Sequence, residues 1–131
     1  MIVVDASVVV TALLVGGAKG DPARRLLQDE ELHAPHLVDV EAASAVRRWV
    51  LTGRLGADGA RSAMADLADL PITRHGHEAL LERVLDLRDA VSAYDGTYVA
   101  LAELLDVPLA TVDRRLSRAP GLRCRVVVPG R

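Results

Sequence analysis

The chain alternates short runs of β-branched residues with longer segments whose apolar residues recur at helical spacing. The run "IVV" at residues 2–4 begins the pattern, and "LHAP", "PITRH", "VPLATVD" and "CRVVVPG" repeat it further along. Between these runs, apolar residues lie three and four positions apart, as in amphipathic helices. Strands that alternate with helices in this way predict an α/β fold with a mainly parallel central sheet and helices on both faces.

Capping residues indicate where individual helices begin. Ser7 follows the first strand and is predicted to cap a helix that continues to Gly16, while Pro22 is predicted to begin the next helix, "PARRLLQDEE". Ser92 is predicted to cap the helix "AYDGTYVALAELL". A long amphipathic helix is predicted in "HLVDVEAASAVRRWVLTGRL", where Asp39 would interact favourably with the dipole of the first turn.

The size and charge of the chain narrow the class of protein. With 131 residues, of which 50% are hydrophobic, the chain is expected to form one domain, residues 1–131, around a single core. The 18 acidic and 16 basic residues give a net charge of −2, so nucleic-acid binding would have to come from local clusters of arginine. Aromatic residues make up only 2%, which excludes a platform that stacks successive bases.

The N-terminal apolar run and the single cysteine indicate in which cellular compartment the protein is expected. The run contains Asp5, Ser7 and Thr11 and is too short to cross a bilayer. Cys124 cannot form a disulfide within the chain, which fits a reducing compartment, and it is predicted to be a small strand residue. We therefore expect a soluble cytoplasmic protein with no membrane partner.

Four acidic residues stand in apolar surroundings at positions that the predicted fold would bring together. Asp5 and Asp113 each end a predicted strand, and ligands of parallel sheets gather at the carboxyl ends of strands. Glu41 and Asp95 lie on predicted helices, and Asp95 shares a helix face with the apolar residues at 99 and 102. Taken singly, each acid could instead cap a helix, end a turn or face solvent. Their joint placement is what suggests a site.

Several carboxylates in one pocket repel each other, and without a cation some would be protonated. Mg²⁺ prefers hard oxygen ligands and is usually held by a few carboxylates, with water and substrate phosphates in its other positions. A divalent cation would make water a usable nucleophile and stabilise charge on a leaving oxygen. The residues therefore indicate metal-dependent phosphodiester hydrolysis.

Four segments, spread over nearly the whole chain, occur in an order and spacing that can be compared with those of known protein families. They are "VVDASVVVTALL", the glutamate in "LVDVEAASAVRR", "SAYDGTYVALAELLDVPLATVDRRL" and the closing hydrophobic strand. Together they resemble the PIN-domain nucleases, and among these the VapC-type toxins of bacterial toxin–antitoxin pairs. The resemblance implies a three-layer α/β/α sandwich. It also implies that Asp5, Glu41, Asp95 and Asp113 are the metal-binding and catalytic residues of an endoribonuclease that uses Mg²⁺ or Mn²⁺.

The same resemblance implies further residues and partners. Ser7 and Thr111 would be hydroxyls that orient substrate or water, although Ser7 could instead cap its helix and Thr111 could satisfy hydrogen bonds near its strand. A group of arginines after Asp113 could contact RNA phosphates or simply form a solvated face: Arg114, Arg115 and Arg118. The expected substrate is structured RNA, such as transfer RNA or ribosomal RNA. The expected partners are a VapB-like antitoxin and a second copy of the chain in a homodimer.

Other classes of protein explain less of the sequence. The segment "GAKG", residues 17–20, lies between two predicted helices and matches the GXXG loop of KH modules, which would make the chain a metal-independent RNA-binding module. A phosphorylated receiver domain also has an acidic pocket but needs a lysine at a later strand end, and Lys19 is the only lysine. A third alternative is a catalytically silent PIN-like binding protein. None of the histidines is assigned as a ligand, because all are predicted to lie away from the acids: His33, His36, His75 and His77.

Overall fold

The computed structural model describes residues 1–131 and contains a five-stranded sheet. The strands are β1 (Ile2–Val4), β2 (Leu32–Pro35), β3 (Ile72–His75), β4 (Leu109–Ala110) and β5 (Val126–Val127). Their order in the sheet is β3-β2-β1-β4-β5, and every neighbouring pair is parallel. The predicted mainly parallel sheet is therefore confirmed.

Six α-helices cover the sheet. They are α1 (Ala6–Leu14), α2 (Gly17–Asp29), α3 (Leu37–Leu51), α4 (Ala57–Asp69), α5 (Leu81–Asp86) and α6 (Ala93–Leu105), with short 3-10 turns at Glu78–Leu80 and Leu116–Arg118. Helix α6 packs across β1, β2 and β4, with α5 against it, whereas α1, α2, α3 and α4 pack against one another. This arrangement is the predicted three-layer α/β/α sandwich.

The central strand explains why the first residues are β-branched and apolar. Strand β1 has a parallel partner on each side, β2 and β4, and all three of its residues are buried. A strand that is covered on both faces has no polar side, so its sequence reads as a continuous hydrophobic run. Asp5, the first residue after this strand, therefore enters the buried interior of the protein with its charge.

The beginnings of the first two helices differ from the predictions. Ser7 does not cap α1. Asp5 does, because its side chain accepts a hydrogen bond from the backbone N–H of Val8. Helix α2 begins at Gly17, so Pro22 lies inside the helix and not at its start. The guanidinium of Arg24 donates to the carbonyls of Ala12, Val15 and Gly17, which stabilises this earlier beginning.

The "GAKG" segment is also helical, so the KH interpretation is wrong. Residues 17–20 form the first turn of α2 and are not a loop. A Cβ atom at Gly20 would lie 1.9 Å from the carbonyl oxygen of Val15. Glycine is thus needed here for the close approach of α2 to the connection from α1, and not for binding a nucleic-acid backbone.

Three smaller differences concern residues near the strands. Strands β4 and β5 are only two residues long, so Asp113 lies in the loop after β4 and not at the end of the strand itself. Cys124 precedes β5 and is partly buried, so it is not a strand residue. Asp39 is in the first turn of α3 as expected, but it also forms a two-point ion pair with Arg74 of β3. None of the helices has the length and hydrophobicity needed to span a membrane.

Candidate metal centre

A cavity of about 450 Å³ lies beside the ends of β1 and β4 and contains all four predicted acids in its wall. Asp5 follows β1, Glu41 lies in α3, Asp95 lies in the first turn of α6, and Asp113 lies in the loop after β4. The structure therefore brings together residues that come from four separate parts of the chain. It places them at the carboxyl side of a parallel sheet, where ligand sites of α/β proteins occur.

Asp5 is the most deeply buried of the four acids, with 6% of its surface exposed. Its Oδ1 accepts hydrogen bonds from the Ser7 hydroxyl (2.5 Å) and from the Val8 N–H (3.2 Å). Burial raises the pKa of Asp5 from 3.8 to about 6, although the hydrogen bonds from Ser7, Thr111 and Val8 act in the opposite direction. The charge of Asp95 raises this pKa further. A cation in the cavity would relieve both of the effects that disfavour the ionised form.

Ser7 and Thr111 link the acid-bearing segments to each other. The Ser7 Oγ lies 3.4 Å from the Thr111 Oγ1 and accepts a hydrogen bond from the Val112 N–H. Thr111 is fully buried, and its hydroxyl accepts from the Asp113 N–H at 3.0 Å. Ser7 lines the cavity but Thr111 does not. These contacts connect the segment that follows β1 to the loop that follows β4.

Asp95 and Asp113 lie close enough to affect each other electrostatically. The pKa of Asp95 is raised first by burial and then by the charge of Asp113, and it is lowered by Arg115. Ser92 caps α6 as predicted by accepting a hydrogen bond from the Asp95 N–H. Asp113 accepts a hydrogen bond from the backbone N–H of Arg115 at 2.9 Å. The backbone N–H groups of both residues are thus held by hydrogen bonds, and the two carboxylates repel each other.

Glu41 is held by a residue that the sequence did not single out. The hydroxyl of Tyr98 donates a hydrogen bond of 2.6 Å to the Glu41 Oε1 and so joins α6 to α3. Tyr98 is 1% exposed, and its burial, together with this hydrogen bond, strongly raises the pKa of its hydroxyl. The spacing of Tyr98 from Asp95 was the available signal, because residues three apart share a helix face.

The donor set of the cavity fits a hard divalent cation. It consists of carboxylate oxygens, which Mg²⁺ and Mn²⁺ favour, and it contains no histidine or cysteine. No three Asp, Glu, His or Cys side chains in the chain lie close enough together to enclose an ion. The predicted metal site is therefore an open, acid-lined cavity. Such a site suits Mg²⁺, which usually retains several of its waters.

The histidines form contacts elsewhere, and none of them lines the acidic cavity. His33 Nδ1 lies 2.9 Å from His75 Nε2, and His33 Nε2 lies 3.1 Å from Glu31. His77 accepts a hydrogen bond from the backbone N–H of Leu37. By contrast, Ser44, Arg48 and Trp49 of α3 do line the cavity, and the sequence had not indicated them as site residues.

The chain belongs to the PIN-domain family, because the model of that family matches residues 2–122, almost the whole of the fold described above. Among its curated relatives is the ribonuclease VapC9 of Mycobacterium tuberculosis, which is 46% identical over 128 residues, or 98% of each chain. The resemblance to PIN domains and VapC-type proteins is thereby confirmed.

Solved structures agree on the fold. The sarcin-ricin loop cleaving toxin VapC20 of Mycobacterium tuberculosis superposes with a TM-score of 0.72 at 20% identity, covering 93% of this chain and 96% of that one. VapBC2 of Rickettsia felis, solved with a DNA fragment from its promoter, superposes with a TM-score of 0.68 at 14% identity, covering 98% of each chain.

Proposed function

We propose that this protein is a Mg²⁺-dependent endoribonuclease, with Mn²⁺ as an alternative cofactor, and that it acts as the toxin of a type II toxin–antitoxin pair. The observation that carries the proposal is the convergence of Asp5, Glu41, Asp95 and Asp113 on one open cavity of a PIN domain. The similarity to the ribonuclease VapC9 supports RNA as the substrate.

The four carboxylates would hold the cation partly through its retained waters, because no three of them lie close enough together to enclose it. When bound, the cation would lower the pKa of a water and offset charge on the leaving oxygen. Asp5 is held by Ser7 and Val8, so its side chain needs no reordering before it binds. Tyr98 occupies one oxygen of Glu41 and leaves the other available for the cation or for a proton from the attacking water.

The hydroxyls and arginines next to these acids have different proposed roles. Ser7 and Thr111 position Asp5 and Asp113 through the hydrogen bonds described above, and Ser7 also faces the cavity, where it can orient water. Arg114 and Arg118 are exposed and make no ion pair, so they are available to RNA phosphates. Arg115 approaches Asp113 at 3.5 Å and would offset negative charge before RNA binds.

The partners proposed for the chain are a VapB-like antitoxin, a second copy of the chain and a structured RNA, such as transfer RNA or ribosomal RNA, in the cytoplasm. VapBC2 of Rickettsia felis supports an antitoxin partner, because its structure contains both members of such a pair. Light scattering of the purified protein tests the homodimer directly. Co-expression with the gene next to its own tests the antitoxin.

Cleavage of purified total RNA tests the proposed activity. We expect discrete fragments with Mg²⁺, none with EDTA, and a loss of at least two orders of magnitude in rate for Asp95→Asn, because one ligand of the cation is gone. Asp66→Asn is the matched control, since Asp66 is an exposed residue of α4 that does not line the cavity. Cleavage that persists in EDTA or in Asp95→Asn would contradict the proposal. A folded protein that cuts no RNA would favour the catalytically silent alternative.

A further inference from the structure

The acidic cavity continues into a groove between α1 and α3 that is lined by both apolar and polar side chains. On α1, the lining residues continue from Ser7 through Val10 and Thr11 to Val15. On α3, they continue from Glu41 through Ala45 to Trp49. With a rise of 1.5 Å per residue, Trp49 lies about 12 Å along the helix axis from Glu41. The cavity therefore has an acidic end and a less polar end, which we call the apolar end and at which Arg48 is the one charged residue.

Trp49 is the principal flat surface at the apolar end. It is the only tryptophan of the chain and is partly exposed in the cavity wall. The guanidinium of Arg54 lies 3.9 Å from the centroid of its ring, a cation–π contact that helps to hold the indole in one orientation. Arg48, one residue earlier, lines the same cavity and forms no ion pair with an acid. An aromatic ring, a fixed orientation and a free cation are thus found together.

We propose that Trp49 is a nucleobase subsite, on which an unpaired base next to the cleaved phosphodiester stacks while Arg48 contacts a neighbouring phosphate. This inference rests on the proposed ribonuclease function and specifies its substrate as RNA with unstacked nucleotides, as in loops and single strands. The two ends of the cavity match the two ends of a nucleotide, because the acid-bound cation meets the phosphate and the indole meets the base. Bases that are splayed out of a helix are the ones that proteins bind by aromatic stacking.

Tryptophan fluorescence reports on this subsite directly, since all of the signal comes from Trp49. The protein is titrated in EDTA, which prevents cleavage, with short homopolymeric single-stranded RNAs of each base. We expect quenching by these RNAs and none by a ribose-phosphate chain of the same length without bases. Equal quenching by the abasic chain, or no quenching by any of the RNAs, would overturn the proposal.

Variants separate stacking from a structural role of the indole. Anisotropy of a fluorescein-labelled RNA in EDTA should show binding about 5- to 150-fold weaker for Trp49→Leu, since stacking on an aromatic is worth about 1–3 kcal/mol per base. Trp49→Phe should restore most of the affinity, and Val40→Ala is the control, because Val40 lies on the same helix but is 68% exposed. In cleavage assays Trp49→Leu should raise KM and leave kcat unchanged.

Different results would contradict the proposed ribonuclease function and the proposed nucleobase subsite. Wild-type protein that cleaves no RNA would contradict the ribonuclease function, whereas the binding measurements in EDTA would still decide the subsite. Equal RNA affinity of wild type and Trp49→Leu would overturn the subsite even if cleavage is normal. If Trp49→Phe binds RNA as weakly as Trp49→Leu does, the subsite is also overturned, because an aromatic ring at this position would then not be what the RNA contacts.

Discussion

Replacing Asp5 with asparagine should stabilise the metal-free protein at neutral pH, and this gain should disappear in acid. The asparagine has the same size and keeps an oxygen that can accept hydrogen bonds from Ser7 and Val8. It removes a charge that is 6% exposed and has another carboxylate, Asp95, near it. The substitution therefore isolates the free-energy cost of ionising Asp5 in the folded protein.

The magnitude follows from the pKa of Asp5, which is raised from 3.8 to about 6. Each tenfold change in proton affinity is worth about 1.4 kcal/mol, so ionised Asp5 reduces the free energy of unfolding by about 3 kcal/mol in total. Because the pKa is higher in the folded state, the contribution of the protonated side chain is fully present below 3.8 and is lost as the pH rises through about 6. Between about pH 4 and pH 8, the change amounts to about 2 kcal/mol.

Urea unfolding of wild type and Asp5→Asn in EDTA, at several pH values over this range, measures the effect. Titrating groups that do not interact with Asp5 cancel when the two free energies are subtracted, whereas Asp95, whose charge raises the pKa of Asp5, contributes to the same pH-dependent trend. The altered hydrogen bonds of asparagine add an offset that does not vary with pH. The advantage of Asp5→Asn should grow by about 2 kcal/mol from acid to pH 8. Asp66→Asn should show no such trend. A difference that is flat, or that grows towards acid, would refute the reasoning. Mg²⁺ at pH 8 should raise the stability of wild type more than that of Asp5→Asn.

Two further substitutions test other contacts. Tyr98→Phe removes the hydrogen-bond donor to Glu41 and should lower the free energy of unfolding by about 1 kcal/mol. It should also raise the Mg²⁺ concentration needed for half-maximal cleavage, with little change in rate at saturating Mg²⁺. An unchanged Mg²⁺ requirement would contradict the proposed positioning of Glu41 by Tyr98. Glu103→Gln leaves the partly buried Arg83 without its counter-charge and should cost about 2 kcal/mol in urea unfolding at pH 7. Burial alone would raise the pKa of Glu103, but the hydrogen bonds and charge of Arg83 lower it, so this cost should fall towards acid. A loss that persists at low pH would count against the ion pair.

The fold was predictable because the hydrophobic pattern reports burial directly. A few consecutive residues are enough to identify an apolar strand such as β1 or the helical spacing of α3, so each element could be recognised locally. The start of α2 could not, since it depends on Arg24 reaching back to the carbonyls of α1 and its connection. The sequence predicts Ser7 and not Asp5 as the cap of α1 because both are good capping residues, and only the backbone geometry distinguishes them.

The four acids could be predicted because a charge in an apolar context is unusual and strand ends converge in a parallel sheet. The residues that support them were not predicted. Tyr98 and Trp49 occur among apolar residues of their helices and read as core, although one contacts Glu41 and the other lines the cavity. These roles depend on how α3 faces α1 and α6, which is a property of the tertiary structure.

The contact between Ser7 and Thr111 joins residues 104 positions apart. It exists because β1 and β4 are neighbours in the sheet, although nearly all the other elements lie between them in the chain. During synthesis on the ribosome, β4 must therefore be made and must pair with β1 before the loop that carries Asp113 can lie next to Asp5. A nascent chain that stops before β4 has only three of the four acids and leaves one edge of β1 unpaired, so the acid-lined cavity is complete only after almost the whole length has been translated.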